Sequence, residues 1–227
     1  MKWLAILTLL GACTSDVDPP WQLDHDRVIA VRATPPRILP GETAAIDALI
    51  GRKGDVPIER GPGDAMVVSP VALESTLTHP ASGWTVTAPD PTRLAAARTE
   101  LGLAAGEPVP VRLRMTFAGP PLVGLKVVWM GEHADNPVIG PVLVNGRDVS
   151  DDAQVLVEPV TDIPLEVPFD DHYVVNWLTS AGEMHDFDLP AAYLRIEPQT
   201  PQSGTVGVVV RDELGGVAWK LWPISTR

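Results

Sequence analysis

Proline and glycine break this chain at short intervals: 24 Pro and 19 Gly fall among its 227 residues. Proline has no backbone donor and clashes with the preceding helical turn. A helical bundle or coiled coil is therefore excluded as the scaffold. Hydrophobic residues make up 45% of the chain, which is the share of an ordinary globular protein and excludes a disordered one. The length accommodates one large domain or two domains of about 100 residues.

A net charge of −12 argues against nucleic acid as a partner, because phosphate contacts require Lys and Arg in excess. The single cysteine, Cys13, permits no intramolecular disulfide, so each domain has to stand on its own apolar core.

The N-terminus places Lys2 before the apolar run Trp3–Leu10, followed by Gly11, Ala12 and Cys13. This is the layout of a secretory signal, and the run is too short to span a bilayer. Leu10-Gly11-Ala12-Cys13 resembles the lipobox of bacterial lipoproteins. The resemblance implies that residues 1–12 are a signal peptide and that Cys13 is lipidated as the first mature residue. A plain signal peptide and an uncleaved leader stay open as alternatives. Twelve residues is short beside the usual 15–30, which leaves an upstream start open. Thr14, where an Asp would favour inner-membrane retention in enterobacterial lipoproteins, implies the outer membrane of a Gram-negative envelope. Several acyl chains on one residue anchor far more firmly than one. Residues 13–25 are expected to hold the lipidated Cys and a tether. The polar stretch Thr14–Pro20 reaches at most about 25 Å at 3.3–3.6 Å per residue.

Two β-domains are expected, at 26–131 and 132–227. In the first, strands over 27–33 and 43–50 flank Pro35, Pro36 and the Pro40-Gly41 turn. This opening resembles immunoglobulin-like and polycystic-kidney-disease-type β-sandwiches, with prolines blunting an edge strand. Further strands are expected within 66–77 and 84–88. Asp90-Pro91 and Gly102 bracket one helix over about residues 91–101, with Asp90 as cap and Leu94, Ala97 and Leu101 on one face. Val109, Val111, Leu113, Met115 and Phe117 alternate with Pro and polar residues, a half-buried strand. Leu125, Val127 and Trp129 are expected to return beneath it.

In the second domain a strand over 138–144 leads into the tight-turn pair Asn145-Gly146. Strands are expected over 155–157, 165–169, 173–179 and 191–196. Trp177 on a central strand resembles the buried Trp of immunoglobulin-type sandwiches. A last hairpin over 205–224, with residues 212–215 as its loop, sets Arg211 opposite Gly216 and Val208 opposite Trp219. A hairpin of another β fold shares this turn chemistry. The fold expected is all-β: two tandem immunoglobulin-like β-sandwiches with one short helix in the first.

No nucleophile elbow, phosphate-binding loop, zinc-protease motif or Cys pair occurs, so no enzyme, cofactor or metal is expected. Four histidines have acidic neighbours: His25, His133, His172 and His185. The densest group joins Asp170, Asp171 and His172 to His185, Asp186 and Asp188, residue types that bind Zn²⁺ or Ca²⁺. If Ala181-Gly182 is a hairpin turn, His185 lies across from Leu178 and six residues from His172. That is about 20 Å at 3.3 Å per residue, too far for one metal. Trp129, Trp177 and Trp219 are expected to face inward. Trp222, on the opposite side of its strand from Trp219, and Trp21, beside the tether, are the candidate exposed rings for a ligand. The Gly51–Asp64 loop and open strand edges are further candidates.

The expectation is a non-catalytic envelope or cell-surface protein. It is held to the membrane through a lipid on Cys13 and binds a protein or polymer partner. A structural spacer or assembly subunit is the alternative, and a carbohydrate-binding module or enzyme the third.

Overall fold

The computed structural model describes residues 18–169 and 171–227. The leader, Cys13 and Asp170 lie outside the described residues. Two β-sandwiches follow one another in the chain, and both use the same strand plan. In the first, one sheet has the order β1 (Arg27–Thr34), β3 (Thr43–Gly51), β7 (Thr85–Thr87), β6 (Leu77–Thr78), with β4 (Ile58–Arg60) also paired to β3. The facing sheet has the order β2 (Arg37–Ile38), β9 (Leu122–Met130), β8 (Val109–Phe117), β5 (Asp64–Ser69).

The second sandwich repeats this plan. One sheet runs β11 (Arg147–Asp148), β10 (Leu143–Val144), β13 (Asp162–Glu166), β16 (Ala191–Arg195), β15 (Glu183–His185). Its facing sheet runs β12 (Val155–Val157), β18 (Val217–Thr226), β17 (Ser203–Asp212), β14 (Tyr173–Thr179). In both, a short strand crosses to the second sheet and pairs in parallel with the last strand: β2 with β9 and β12 with β18. This division of strands between two sheets is that of the immunoglobulin-like sandwich.

The one α-helix among the described residues, α1 (Pro91–Leu101), forms where its signals place it. The Asp90 carboxylate accepts from the amides of Thr92 and Arg93, Pro91 fills the first turn, and Gly102 ends the helix at φ 68°. These are the capping interactions that leave few helix-end groups unsatisfied. Leu94 and Ala97 enter the first core. On β8 the expected residues are buried, Val109, Val111, Leu113, Met115 and Phe117. Trp177 is buried at the centre of the second core, and its indole donates to the Leu189 carbonyl at 3.0 Å.

Several expectations are corrected. Phe117 pairs with Leu122, so each odd residue of β8 faces an even residue of β9. Paired residues share a face, and so Gly124, Lys126, Val128 and Met130 turn inward. Leu125, Val127 and Trp129 turn outward. The last hairpin is shifted by one: Arg211 pairs with Val217 and Val209 with Trp219, because the loop is shorter and turns at Gly215, φ 86°. Both faces of β18 are then covered. Trp222 enters the second core at 1% exposure, with its indole donating to Ser150 O at 3.0 Å, so the expected exposure of that ring is not found. Trp219 lies outside that core, in the seam between the sandwiches.

The strand expected over 138–144 is regular only at Leu143–Val144, and that over 165–169 is displaced to Asp162–Glu166. Gly182 does not make a β14–β15 hairpin. At φ 75° it passes the chain to the other sheet, where His185 pairs with Tyr193.

The sandwiches are joined by a third apolar cluster. Ala30 and Leu49 of the first pack with Leu178, Val209, Val217 and Trp219 of the second. Leu23, fully buried, belongs to the same cluster. Its amide donates to Thr179 O at 2.8 Å, and the Thr179 amide donates to Trp21 O at 2.9 Å. The C-terminal end of the tether expected over 13–25 is therefore part of the folded body.

A candidate binding face on the first sandwich

The outward parity of β9 builds an exposed apolar face on the first sandwich. Met66, Arg114 and Leu125 lie side by side across β5, β8 and β9, and Ser69, Arg112 and Val127 form the next row. Val123, in the row beyond Leu125, pairs with Thr116. Leu125 is 72% exposed, Met66 51%, and Val68 and Val123 49% each. A cluster of large exposed apolar side chains on one sheet face is a feature that soluble proteins use for contact. A depression of about 350 Å³ lies among Val68, Arg112, Leu125 and Val127.

Arg112 and Arg114 stand in the middle of this face, and neither has a hydrogen-bond or ion-pair partner among the described residues. Two free guanidiniums on an apolar field, in a chain of net charge −12, make a local positive site. Guanidinium is the cation best suited to bidentate recognition of carboxylates at interfaces.

One end of the face is closed by the second sandwich. Arg37 donates from Nε to Leu214 O at 2.8 Å, pairs with Glu132, and lies 5.1 Å over the ring of Trp129. Lys126 donates from Nζ to Gly215 O at 2.6 Å. It is only 8% exposed, and burial pushes its pKa down to about 8, with Asp212 opposing the shift and Arg211 adding to it. The tip of the β17–β18 hairpin is thus held by two cations from the first sandwich.

The other sequence candidates lie elsewhere. Trp21 is half-buried against the second core. Within the Gly51–Asp64 loop, β4 pairs with β3, and Glu59 reaches the seam. His133 bonds Glu42 through Nδ1 at 2.9 Å on the surface; that bond raises the His133 pKa and lowers that of Glu42. His185 stacks on Tyr193, with ring centroids 4.5 Å apart. Among the described residues no three His, Cys, Asp or Glu converge as metal ligands, and no helix is long and apolar enough to cross a membrane.

Sequence reasoning missed the face because it set Leu125, Val127 and Trp129 inward. The four residues between Phe117 and Leu122 carried the signal that would have reversed it.

The sheet topology defines an all-β protein of two tandem immunoglobulin-like sandwiches. No protein-family model matches the chain, and no curated protein matches it. Solved structures align with it only loosely. The tandem Ig repeats of Dlar are 9% identical, with 87% of this chain and 97% of that one covered, at a TM-score of 0.31. Murine CEACAM1b is 11% identical, with 87% and 100% covered, at 0.31. A nucleoside hydrolase-related hypothetical protein from Saccharophagus degradans is 14% identical at 0.33. The alignment covers 41% of this chain and 26% of that protein, so it spans about a quarter of that protein's length.

Proposed function

We propose that this is a non-catalytic binding protein of a Gram-negative envelope, tied to the outer membrane by lipid on Cys13, that docks a partner protein on the β5–β8–β9 face. The observation that carries the reading is the pair Arg112 and Arg114, free of partners among the described residues, between exposed Met66 and Leu125. The partner surface that complements them is apolar and acidic. Buried apolar contact supplies most of the affinity, and the arginines fix position and orientation.

The experiment uses the full chain in detergent-solubilised envelope. A partner is expected to co-purify with the wild type and to be lost with L125D and with the double variant R112E/R114E, while both variants unfold at the wild-type urea midpoint. Retention of the same partner by both variants overturns the docking face. Mass spectrometry of the mature N-terminus tests the anchor, with acylated Cys13 as the expected species and C13S released to the soluble fraction.

The seam favours a second reading as a structural subunit. Trp219, Leu23 and Leu49 form one apolar cluster, which suits a rigid spacer. A spacer would show no partner dependence on Arg112, Arg114 or Leu125.

A further inference from the structure

Two sheet edges open into one cleft of about 540 Å³ between the sandwiches. On one side is β1, the end strand of its sheet. On the other is β9 over Val123–Val127, beyond the reach of β2, which pairs only with Trp129 and Met130. The β17–β18 turn forms the third wall through Arg211, Asp212 and Gly215.

The two edges are treated differently. On β1 the outward carbonyl of Ile29 accepts from Arg211 Nη2 at 3.0 Å, and that of Ala33 accepts from Asn136 Nδ2 at 2.9 Å. The strand is also irregular between Val28 and Ala30. Bulges and covering groups of this kind protect an edge from further pairing.

On β9 the odd residues face away from β8. The Trp129 amide donates to Pro36 O at 3.1 Å, and the Gly131 amide to Ile38 O at 2.9 Å. Pairing with β8 is regular throughout, so the same parity turns the N–H and C=O groups of Val123, Leu125 and Val127 to the cleft. No group among the described residues bonds them there. Lys126, an inward charge of the sort that blunts an edge, is spent on Gly215 O.

We propose that the free edge of β9 takes an extended segment of the partner polypeptide as an added strand. This rests on the docking face above, with which it shares Val123, Leu125 and Val127. Donor and acceptor groups repeating every second residue match an extended backbone and no compact ligand. The cleft volume lies within the 300–1,000 Å³ typical of binding clefts. Its apolar wall (Val28, Ile29, Val31, Val217) favours apolar residues on one side of the strand, and Arg114, paired with Leu125 on the outward face, favours acidic residues on the other.

A displayed library of random dodecapeptides, selected on the full chain in detergent, supplies the probe. Amide hydrogen exchange by NMR is the readout. In the free protein the amides of Val123, Leu125 and Val127 should exchange much faster than those of Gly124, Lys126 and Val128. A selected peptide should slow the three by at least tenfold, and the same peptide N-methylated at alternate residues should not. V123P, which removes an amide unused by β8, should cut affinity for the peptide at least tenfold.

Slow exchange at the three positions in the free protein overturns the proposal, as does failure to select any peptide. Protection that appears with protein concentration alone assigns the edge to a second copy and also overturns it. A selected peptide that is lost with R112E/R114E but leaves the three amides unprotected rejects the added strand while sparing the face.

Discussion

The indole Nε1 of Trp219 donates to Glu59 Oε1 at 2.5 Å, joining the second sandwich to the first. Arg32 lies 3.9 Å over the same ring and is bound through Nε and Nη2 to Asp47. A cation, a ring and two carboxylates thus close the rim of the seam, while Leu23, Leu49 and Val209 fill its floor. Replacing Trp219 with Ala should cost about 3–5 kcal/mol. W219F, which keeps a ring and loses the donor, should cost about 1–2 kcal/mol. Urea unfolding followed through Trp fluorescence measures both. In W219A the two sandwiches should unfold in separate transitions.

Lys126 gives the fold a pH signature. Its folded pKa of about 8 lies below the ordinary 10.5. Below pH 8 the cost of burying the ammonium is fully present. Between about 8 and 10.5 the unfolded chain binds more protons, so stability rises with pH, by about 3 kcal/mol in full. Urea midpoints at pH 7, 8.5 and 10 should show this rise in the wild type beyond that in K126M. Parallel profiles for the two proteins would contradict it.

Leu23 tests the docked N-terminal segment. L23A empties a fully buried site and should cost about 2–5 kcal/mol. Limited proteolysis should then cut near residues 20–26 in the variant and spare the wild type.

Gly182 sits where the chain changes sheets. A Cβ there would lie 2.4 Å from Arg195 O, a backbone atom that cannot swing aside, and φ is +75°. G182A should destabilise by about 2–4 kcal/mol. G54A, at φ +81° with open space around it, should cost about 1–2 kcal/mol. Thermal unfolding of the two variants separates clash from backbone strain.

Local signals were legible where one residue type performs one job. Asp90, Pro91 and Gly102 marked the helix ends, and the alternation from Val109 to Phe117 marked β8 and its inner face. Register was not legible, because it depends on loops. Leu125, Val127 and Trp129 are more apolar than Gly124, Lys126 and Val128, so hydrophobicity alone points the wrong side of β9 inward. That same inversion is what makes the face a candidate site.

On β18 both faces are covered, one by the second core and one by the seam, so Trp219 and Trp222 offered no polar side to orient the strand. The crossing at Gly182 was hidden for a related reason. A glycine at positive φ serves a hairpin turn and a change of sheet equally well.

The bonds between Thr179 and the backbone of Trp21 and Leu23 set the route by which tension enters the molecule. A pull on the N-terminus is felt first at β14, in the half of the protein farther along the chain, before it can strip β1 from β3. The domain nearer the pulling point in sequence is mechanically the second in line.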